Sequence, residues 1–387
     1  MKFYKTIAEK GELKSFAVND EFNTKDLISL IGDDQAFYWN KKINAITPGA
    51  IDLKDIFNFY RVKDVGGLSE VFSSENLNEY FRVKQQLQSI LRSYRITKIK
   101  VSKYGIHELV PERVLKAFLL SEIKVLQDAH GFLQKKEWYD DVIRFFKSEK
   151  CATNVLTHMN FPIRTLDGMT GVNLTWQANF RFNPMPGYLN LFNMQKKDRY
   201  KIIPQDEDHV IYEADFRQFE VRTFCMIHPE LEVDFSNREL YNDLAEQLGL
   251  DPQTAKQQII AYGYGQSNER LDKVLNRSAI LEGVRDDFYS WNGYPVIFRP
   301  GDSDKIKIHT IVQTISNYMY LQKLRDLLAK LSETNSKFMY PLHDSVIISL
   351  DKGDEKFIPD LQSILEDDVY KVKQCLGPNL SELKEIT

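Results

Sequence analysis

The spacing of apolar residues separates stretches typical of helices from stretches typical of strands. In LNEYFRVKQQLQSILRSY, from Leu77 to Tyr94, apolar side chains recur three or four positions apart, which predicts a helix. Two more helical runs follow, one after Pro111 and one in KEWYDDVIRFFKSEK. Residues 1–75 show no strong periodicity and carry no chemistry that we can name, so their role is left open.

The second half of the chain has a different pattern. Over residues 155–235, short β-rich pieces (VNLTW, YLNLF, HVIYEAD) alternate with turn residues, and helical patterns return over 236–292. A long amphipathic helix over 306–331 precedes a hairpin (KFMYPLHDSVIISL), a helix (EKFIPDLQSIL) and a last strand (VYKVKQCL). Helical insertions within a small antiparallel sheet predict an α+β fold with a discontinuous central domain.

Composition narrows the class of protein. Hydrophobic residues make up 43% of the 387 residues and charged residues 27%, which is typical of a soluble globular protein. The net charge is -4, so a nucleic-acid site would need basic residues gathered in a cleft. Three widely spaced cysteines without a C-x-x-C pair indicate a reducing compartment, and no apolar run reaches the ~18 residues of a membrane helix. We therefore expect a cytoplasmic protein without a membrane partner.

Two aspartates stand where strands are predicted to end. Asp215 closes the apolar run of HVIYEAD, and Asp344 lies at the turn of the later hairpin, so both are expected at a sheet edge. Two carboxylates from separate strands are a usual requirement for a pair of Mg²⁺ ions, which prefer oxygen ligands and keep waters and substrate phosphates. Aspartate is also common in turns for purely local reasons, and for either residue alone that interpretation is the better one.

The words around these aspartates resemble the motifs of A-family DNA polymerases, which are similar to DNA polymerase I. Asp215 opens DFRQFEVR, which resembles motif A (D-Y-S-Q-I-E-L-R), and His343-Asp344-Ser345 resembles motif C (H-D-E). Lys256, Ile260, Tyr264 and Gly265 resemble motif B (R-x-x-x-K-x-x-x-F/Y-x-x-x-Y-G). They lie between motifs A and C, which is the order of the family. Weaker similarity extends to residues 190–194, 305–313 and 376–380, so the match covers residues 155–387.

The resemblance implies two-metal phosphoryl transfer. Asp215 and Asp344 would hold two Mg²⁺ ions, with Mn²⁺ as an alternative, helped by the backbone carbonyl of Phe216, and Lys256 would neutralise phosphate charge. The resemblance also implies which residues bind the nucleotide: Lys256, Ile260, Tyr264, Gly265, Glu220 and Gln218. The spacing of Lys256, Ile260 and Tyr264 places them on one helix face. Glu220 would exclude a 2′-hydroxyl, which favours DNA as the product.

The same resemblance assigns contacts with DNA. These fall to Arg181, Arg222, His309, Gln313 and His343. His309 and Gln313 are four residues apart on a predicted helix, from which they could reach minor-groove acceptors. Arg181 stands in poorly matching surroundings, and the basic segment QKKDR nearby reads equally well as phosphate contacts or as an exposed loop.

Three departures from the family pattern leave alternatives open. Ser345 replaces the glutamate of motif C, as also occurs in related single-subunit RNA polymerases. Pro252 replaces the motif B arginine, for which Arg270, Lys273 or Arg277 are candidate substitutes. Residues 1–75 show no convincing D-x-E word, so we predict that this chain carries no proofreading exonuclease domain.

The sequence thus predicts a right-hand polymerase fold with an antiparallel palm sheet, helical fingers and a helical thumb. The predicted parts are 1–75 (unknown role), 76–154 (thumb), 155–235 and 305–387 (palm) and 236–304 (fingers). The expected activity is primer extension on primer–template DNA with dNTPs, in a replication enzyme of phage or viral type, with a separate exonuclease or replication subunit as a candidate partner. A phage enzyme would work in the host cytoplasm. The alternatives are an RNA polymerase or primase-like enzyme of the same superfamily, and a catalytically weak nucleic-acid-binding protein.

Overall fold

The described part of the chain forms two compact units, Met1–Ser148 and Glu149–Thr387. The computed structural model describes residues 2–9, 12–17, 36–38, 51–52, 71–96, 109–152, 155, 160–176, 179–184, 188–227, 233–263, 266, 268–275, 277–285, 287–299 and 301–386. Among the helices within these ranges, none combines the length and the hydropathy that crossing a membrane requires.

The first unit contains a sheet followed by helices. Its strands are β1 (Lys2–Glu9), β2 (Glu12–Ala17), β3 (Ala36–Tyr38) and β4 (Ile51–Asp52), in the order β2-β1-β3-β4. β1 pairs with β2 antiparallel and with β3 parallel. The helices are α1 (Ser74–Ser93), α2 (Glu112–Leu133) and α3 (Tyr139–Lys147).

α1 and α2 pack through the apolar stripes that the sequence spacing predicts. Ser73 caps α1 by accepting a hydrogen bond from the backbone N–H of Asn76 at 3.2 Å. Leu87 of α1 is buried in a cluster with Val114 and Leu115 of α2. Burying these side chains is what orders a helix pair whose remaining surface is charged.

A five-stranded antiparallel sheet organises the second unit. Its strands are β8 (His209–Phe216), β11 (Lys337–Leu342), β12 (Ser345–Asp351), β13 (Val372–Gly377) and β14 (Lys384–Glu385), in the order β11-β12-β8-β13-β14. β8 is central, with β12 on one side and β13 on the other. Smaller pieces are β5 (Asn160–Thr165), β6 (Gly168–Trp176), β7 (Phe182–Pro184), β9 (Phe288–Trp291) and β10 (Tyr294–Ile297).

Helices inserted between these strands form the main hydrophobic core. They are α4 (Phe219–Ile227), α5 (Leu240–Leu248), α6 (Pro252–Gly263), α7 (Glu269–Leu275), α8 (Arg277–Glu282), α9 (Asp304–Leu331) and α10 (Ile358–Leu365). The long α9 is buried over most of its circumference, and Ile308, Ile311 and Ile315 share one apolar cluster with side chains of α4–α8. Asp251 caps α6 by accepting from the N–H of Thr254 at 3.0 Å, and Pro252 occupies the first helical position.

The predicted fold class is confirmed at the level of a mixed helix and sheet protein with antiparallel sheets. Two local predictions were wrong. Residues 188–192 form no strand, and the helical pattern over 236–292 is interrupted by the β9–β10 hairpin. The division into two units does not test the five finer boundaries, which stay predictions.

Candidate active site

The two aspartates singled out by the sequence lie at the same edge of the five-stranded sheet. Asp215 of β8 is paired in register with Ser345, the residue after Asp344. The backbone N–H of Phe216 donates to the carbonyl oxygen of Asp344 at 2.9 Å, which locks the end of β8 to the β11–β12 turn. Part of the Asp215 side chain is open to solvent, and Asp344 is half-buried. Strand pairing therefore brings together two carboxylates that are far apart in sequence.

The backbone at this edge is held in an unusual conformation. His343 begins the two-residue turn between β11 and β12 with φ 54°, and Gln218, directly before α4, also has φ 54°. A positive φ at the first position matches the tight turns that suit the twist of a hairpin, but it costs energy for a residue with a side chain. Such strain is concentrated at functional sites, where neighbouring structure enforces it.

Burial, and after it the nearby negative charge, raises the pKa of both aspartates. Partial burial, followed by the nearby Glu213, raises the pKa of Asp215 to about 6. Burial, followed by the charges of Glu220 and Asp215, raises the pKa of Asp344 to about 7, against the opposing effect of Arg181. The site therefore carries more negative charge than its side-chain cations neutralise, an imbalance that a bound cation would relieve.

Glu213 is a member of this group that the sequence interpretation missed. It lies two residues before Asp215 on β8, so both side chains point to the same face of the sheet. Ser345 Oγ donates to Glu213 Oε1 at 3.3 Å, and burial raises the pKa of the Glu213 carboxyl. The period of two along HVIYEAD is the signal that could have found it.

A larger recess of about 190 Å³ opens on one side of Glu220. Apolar and aromatic side chains of α4, α5, α6 and α9 line most of it. Ile260, His309 and Gln218, all predicted site residues, also line it, together with Asp344. Tyr241 contributes an aromatic wall that the sequence did not indicate. Tyr264 and Gly265, which were also predicted to bind the nucleotide, lie outside the described residues.

A smaller, more polar recess of about 20 Å³ shares Phe219, Glu220 and Asp344 with the larger one. Its lining includes Arg181, Gln313 and His343, all predicted to contact DNA, together with Glu220 and Asp344. His343 packs its ring 5.2 Å from that of Phe192, edge to face, with an interplanar angle of 62°. Burial and the nearby Arg181 lower the pKa of His343, which favours the neutral imidazole.

Gln313 is buried rather than open to a large ligand. Its Oε1 accepts from Asn179 Nδ2 at 2.9 Å, and its Nε2 donates to Glu220 Oε1 at 3.4 Å. Only 7% of Gln313 is exposed, so its amide holds Glu220 in place at the border of the two recesses. The predicted contact with DNA would have to be made at the edge of the smaller recess.

Arg222 is a correction to the sequence interpretation. The side chain was predicted to bind DNA, but it is fully buried. Its guanidinium donates to the backbone carbonyl oxygens of Arg217, Phe235, Asn237 and Val369. A cation enclosed in this way ties α4 to the segments around it and cannot reach a phosphate. The resemblance to motif A matched Arg222 to an arginine of the family. It could not show that this side chain lies on the buried side of α4.

Gln218 also stabilises the start of α5 through hydrogen bonds of its side-chain amide. Its Oε1 accepts from the backbone N–H of Leu240 at 2.8 Å, and its Nε2 donates to Glu239 at 3.2 Å. The amide thereby satisfies a backbone donor at the first turn of α5. Gln218 lines the larger recess, and its predicted contact with a nucleotide stays a prediction.

A cation on α6 lies beside the larger recess. Lys256 is exposed, and its Nζ lies 5.7 Å from the ring centroid of Tyr241, which lines the recess. Arg270 and Lys273 are exposed on α7, and Arg277 begins α8. The structure does not decide which of these three would replace the arginine missing at Pro252.

The donor set at the sheet edge suits Mg²⁺ better than a softer metal. Within the ranges the structure describes, no three His, Cys, Asp or Glu side chains gather closely enough to enclose a metal ion. Mg²⁺ does not need such a cage, because it is bound through one or two carboxylates and completes its shell with water and substrate phosphates. Asp215, Asp344 and the carbonyl of Phe216 fit that requirement in ligand type.

Comparisons with known proteins add little. No protein-family model matches the chain, and no curated protein matches it either. One similar solved structure is the POL domain of Pol1 from M. smegmatis in complex with DNA primer-template and dNTP. It is 12% identical, covers 82% of this chain and 67% of that chain, and has a TM-score of 0.45. At this identity and TM-score, the similarity by itself decides neither fold nor function.

Proposed function

We propose that the protein is a template-directed DNA polymerase that extends a primer 3′-hydroxyl with dNTPs. The observation that carries the proposal is the convergence at one sheet edge of residues from separate sequence words. Asp344 lines two recesses that both include Glu220, and Asp215 is paired in register with the next residue, Ser345. In this proposal β8 and β11–β14 form the palm, α5–α8 the fingers, and α1–α3 the thumb.

The larger recess is assigned to the incoming nucleotide. Its apolar lining suits a sugar and a base, while the exposed Lys256 at its side suits the triphosphate. Glu220 projects between the recesses, where its carboxylate would meet a 2′-hydroxyl. The amide of Gln313 restrains this carboxylate, so exclusion of a ribonucleotide would not depend on a mobile side chain.

The smaller recess is assigned to the primer terminus. Arg181 supplies a cation near Asp344, and His343 supplies an imidazole whose neutral form is favoured. In the reaction, the primer 3′-oxygen forms a bond to the α-phosphorus as the bond from that phosphorus to the bridging oxygen breaks, releasing pyrophosphate. Mg²⁺ held by Asp215, Asp344 and the Phe216 carbonyl would supply Lewis-acid stabilisation of both oxygens.

The test is extension of a recessed primer with Mg²⁺ and dNTPs. We expect Asp215→Asn and Asp344→Asn each to lower the rate by roughly 10²–10³-fold or more, because each removes a charge that the transition state needs. Asp208→Asn is the matched control, since Asp208 is exposed just before the opposite end of β8. Primer–template binding, followed by fluorescence anisotropy, should survive all three changes.

Two outcomes would contradict the proposal. If wild-type protein binds primer–template without extending it, the protein is a nucleic-acid-binding module. If it extends as readily with rNTPs as with dNTPs, it is an RNA-synthesising enzyme. We further propose that this chain does not proofread, and release of a mismatched 3′-nucleotide by the purified chain would refute that part alone.

A further inference from the structure

A group of exposed apolar side chains lies outside both recesses, around the β5–β6 hairpin. The exposed fractions are 58% for Leu166, 59% for Met169, 44% for Tyr188 and 44% for Tyr200. Together with the basic residues described below, these four side chains form what we call the hairpin surface. Neither recess described above uses any of the four.

Backbone hydrogen bonds hold these residues in one piece of structure. The N–H of Leu166 donates to the carbonyl of Lys201 at 2.9 Å, which joins the hairpin to the 3₁₀-helix Lys196–Lys201. The N–H of Leu189 donates to the carbonyl of Gly171 at 3.3 Å. The ring of Tyr188 lies so close to Gly171 that an added Cβ would meet it at 3.3 Å. Tyr188 is therefore an ordered aromatic ring with one side open to solvent.

The hairpin surface is locally basic, although the whole chain is acidic. Residues 164–169 and 188–201 contain Arg164, Lys196, Lys197, Arg199 and Lys201 against only Asp167 and Asp198. The chain as a whole has a net charge of -4. Lys201 Nζ lies 6.0 Å from the ring centroid of Tyr200, so cation and aromatic ring are neighbours. The partner that complements this mixture is anionic and presents flat apolar faces.

The hairpin surface is also continuous with the candidate active site. Phe192, in the same segment as Tyr188, packs against His343 at the smaller recess. A DNA strand held at that recess would therefore lie next to the segment that carries the tyrosines and lysines. Bases in a duplex are already stacked on each other, whereas those of an unpaired strand are free to stack on aromatic rings. A protein partner fits less well, because lysine is depleted at the centres of protein interfaces.

We propose that the hairpin surface binds an unpaired DNA strand, with bases stacked on Tyr188 and Tyr200 and phosphates paired with Lys196, Lys197 and Lys201. This adds a partner to the site of the proposed polymerase, but the binding itself does not require catalysis. The two contributions are separable, because stacking is insensitive to salt, whereas phosphate pairing releases counterions.

The test measures binding of fluorescein-labelled oligothymidine by anisotropy across a series of salt concentrations. Tyr188→Ala with Tyr200→Ala should weaken binding by about fivefold or more for each ring removed, without changing the slope of log Kd against log salt. Lys196→Ala with Lys197→Ala should lower that slope by about 0.7 for each lysine. The matched control, Tyr188→Phe with Tyr200→Phe, keeps both rings and should bind as wild type. Blunt duplex DNA should bind the Tyr→Ala protein and wild type equally.

Unchanged oligothymidine binding in the Tyr→Ala protein would overturn the proposal, as would an equal loss of binding to blunt duplex. An unaltered salt slope in the lysine variant would overturn the phosphate contacts. Asp344→Asn protein keeps this surface and should still bind oligothymidine. If wild type fails to extend primers but shows the expected tyrosine and lysine effects, the polymerase proposal falls and the hairpin surface stands.

Discussion

The two recesses beside Glu220 share a wall but differ in character. The larger recess is lined mainly by apolar and aromatic side chains of inserted helices, whereas the smaller one is lined by Arg181, Gln313 and His343. The volumes are about 190 Å³ and about 20 Å³. A site that must accept a new nucleotide at every step needs room, while a site that holds a strand end needs fixed polar contacts. In the proposed polymerase, the carboxylate of Glu220 would therefore face both the incoming nucleotide and the primer end.

Glu220 itself is held by a hydrogen bond from a buried amide. Glu220 receives the Gln313 amide from the smaller recess, and Gln313 is in turn held by Asn179. On the side of the larger recess, Ile260 is exposed on α6. Changes at the shared wall should therefore affect both ligands, and changes at one recess should affect one.

Glu220→Ala should have the largest effect on selectivity. Removing the carboxylate opens the space that a 2′-hydroxyl would occupy, so we expect ribonucleotide incorporation relative to deoxynucleotide to rise roughly 10- to 100-fold. The measurement is kcat/KM for matched dNTP and rNTP pairs in single-nucleotide extension. Glu246→Ala, which removes an exposed glutamate of α5, is the control for charge. An unchanged ratio would remove Glu220 from the sugar-binding wall.

The pH dependence of Mg²⁺ binding should show a clear direction. The pKa of Asp215 is raised to about 6 and that of Asp344 to about 7. Both groups must lose a proton to bind the cation, so Mg²⁺ affinity should rise, by up to about tenfold per pH unit for each proton released, until the pH passes both values. Calorimetric titrations in two buffers of different ionisation enthalpy would count the protons.

The same groups should affect stability with the opposite sign when Mg²⁺ is absent. The folded protein holds these protons more tightly than the unfolded chain does, so their contribution to stability is greatest below about pH 4 and is lost as the pH rises through about 7. Asp344→Asn should flatten this trend in urea unfolding. Mg²⁺ affinity that is equal at about pH 6 and about pH 8 would contradict both expectations.

Gln313→Ala should act mainly through the smaller recess. The change leaves Asn179 and Glu220 without an amide partner in a buried place, which costs about tenfold in function if both groups are needed. We expect a lower kcat with little change in the KM for dNTP, and a partial loss of discrimination against rNTPs. Gln313→Glu separates the shape of the side chain from its hydrogen bond. It keeps the size of Gln313 but replaces the amide donor with a carboxylate that repels Glu220. A change confined to KM would assign Gln313 to the nucleotide instead.

Ile260→Tyr should give the smallest effect. It tests whether the larger recess, which Ile260 lines, binds the incoming nucleotide. Ile260 offers no hydroxyl to replace the 3′-hydroxyl contact that a dideoxynucleotide lacks, so wild type should use these analogues poorly. A phenol there should improve their use relative to dNTPs by about fivefold, the value of one hydrogen bond. Ile260→Phe separates ring from hydroxyl. Equal use of both substrates by wild type would sink this idea.

The elements that the sequence predicted best are those whose pattern is local. The helix starting near Leu77 and the hairpin around Asp344 were confirmed, because apolar periodicity and turn position are written in neighbouring residues. The β9–β10 hairpin was missed, since its residues Phe288–Ile297 carry few alternating polar positions and β10 is wholly buried. Arg222 was misassigned because a sequence word records order but not the direction of a side chain.

By itself, the sequence determined the mixed helix and sheet class, the strand ends that carry Asp215 and Asp344, and the candidate words around them. Only the tertiary structure decided which side chains from separate segments come into contact. It set Ser345 against Glu213, buried Arg222 among four carbonyl oxygens, and tied Gln313 to Glu220. The physical reason is range. Local patterns depend on residues a few positions apart, whereas strand register and helix packing also join residues that are far apart in the sequence, such as Glu220 and Gln313.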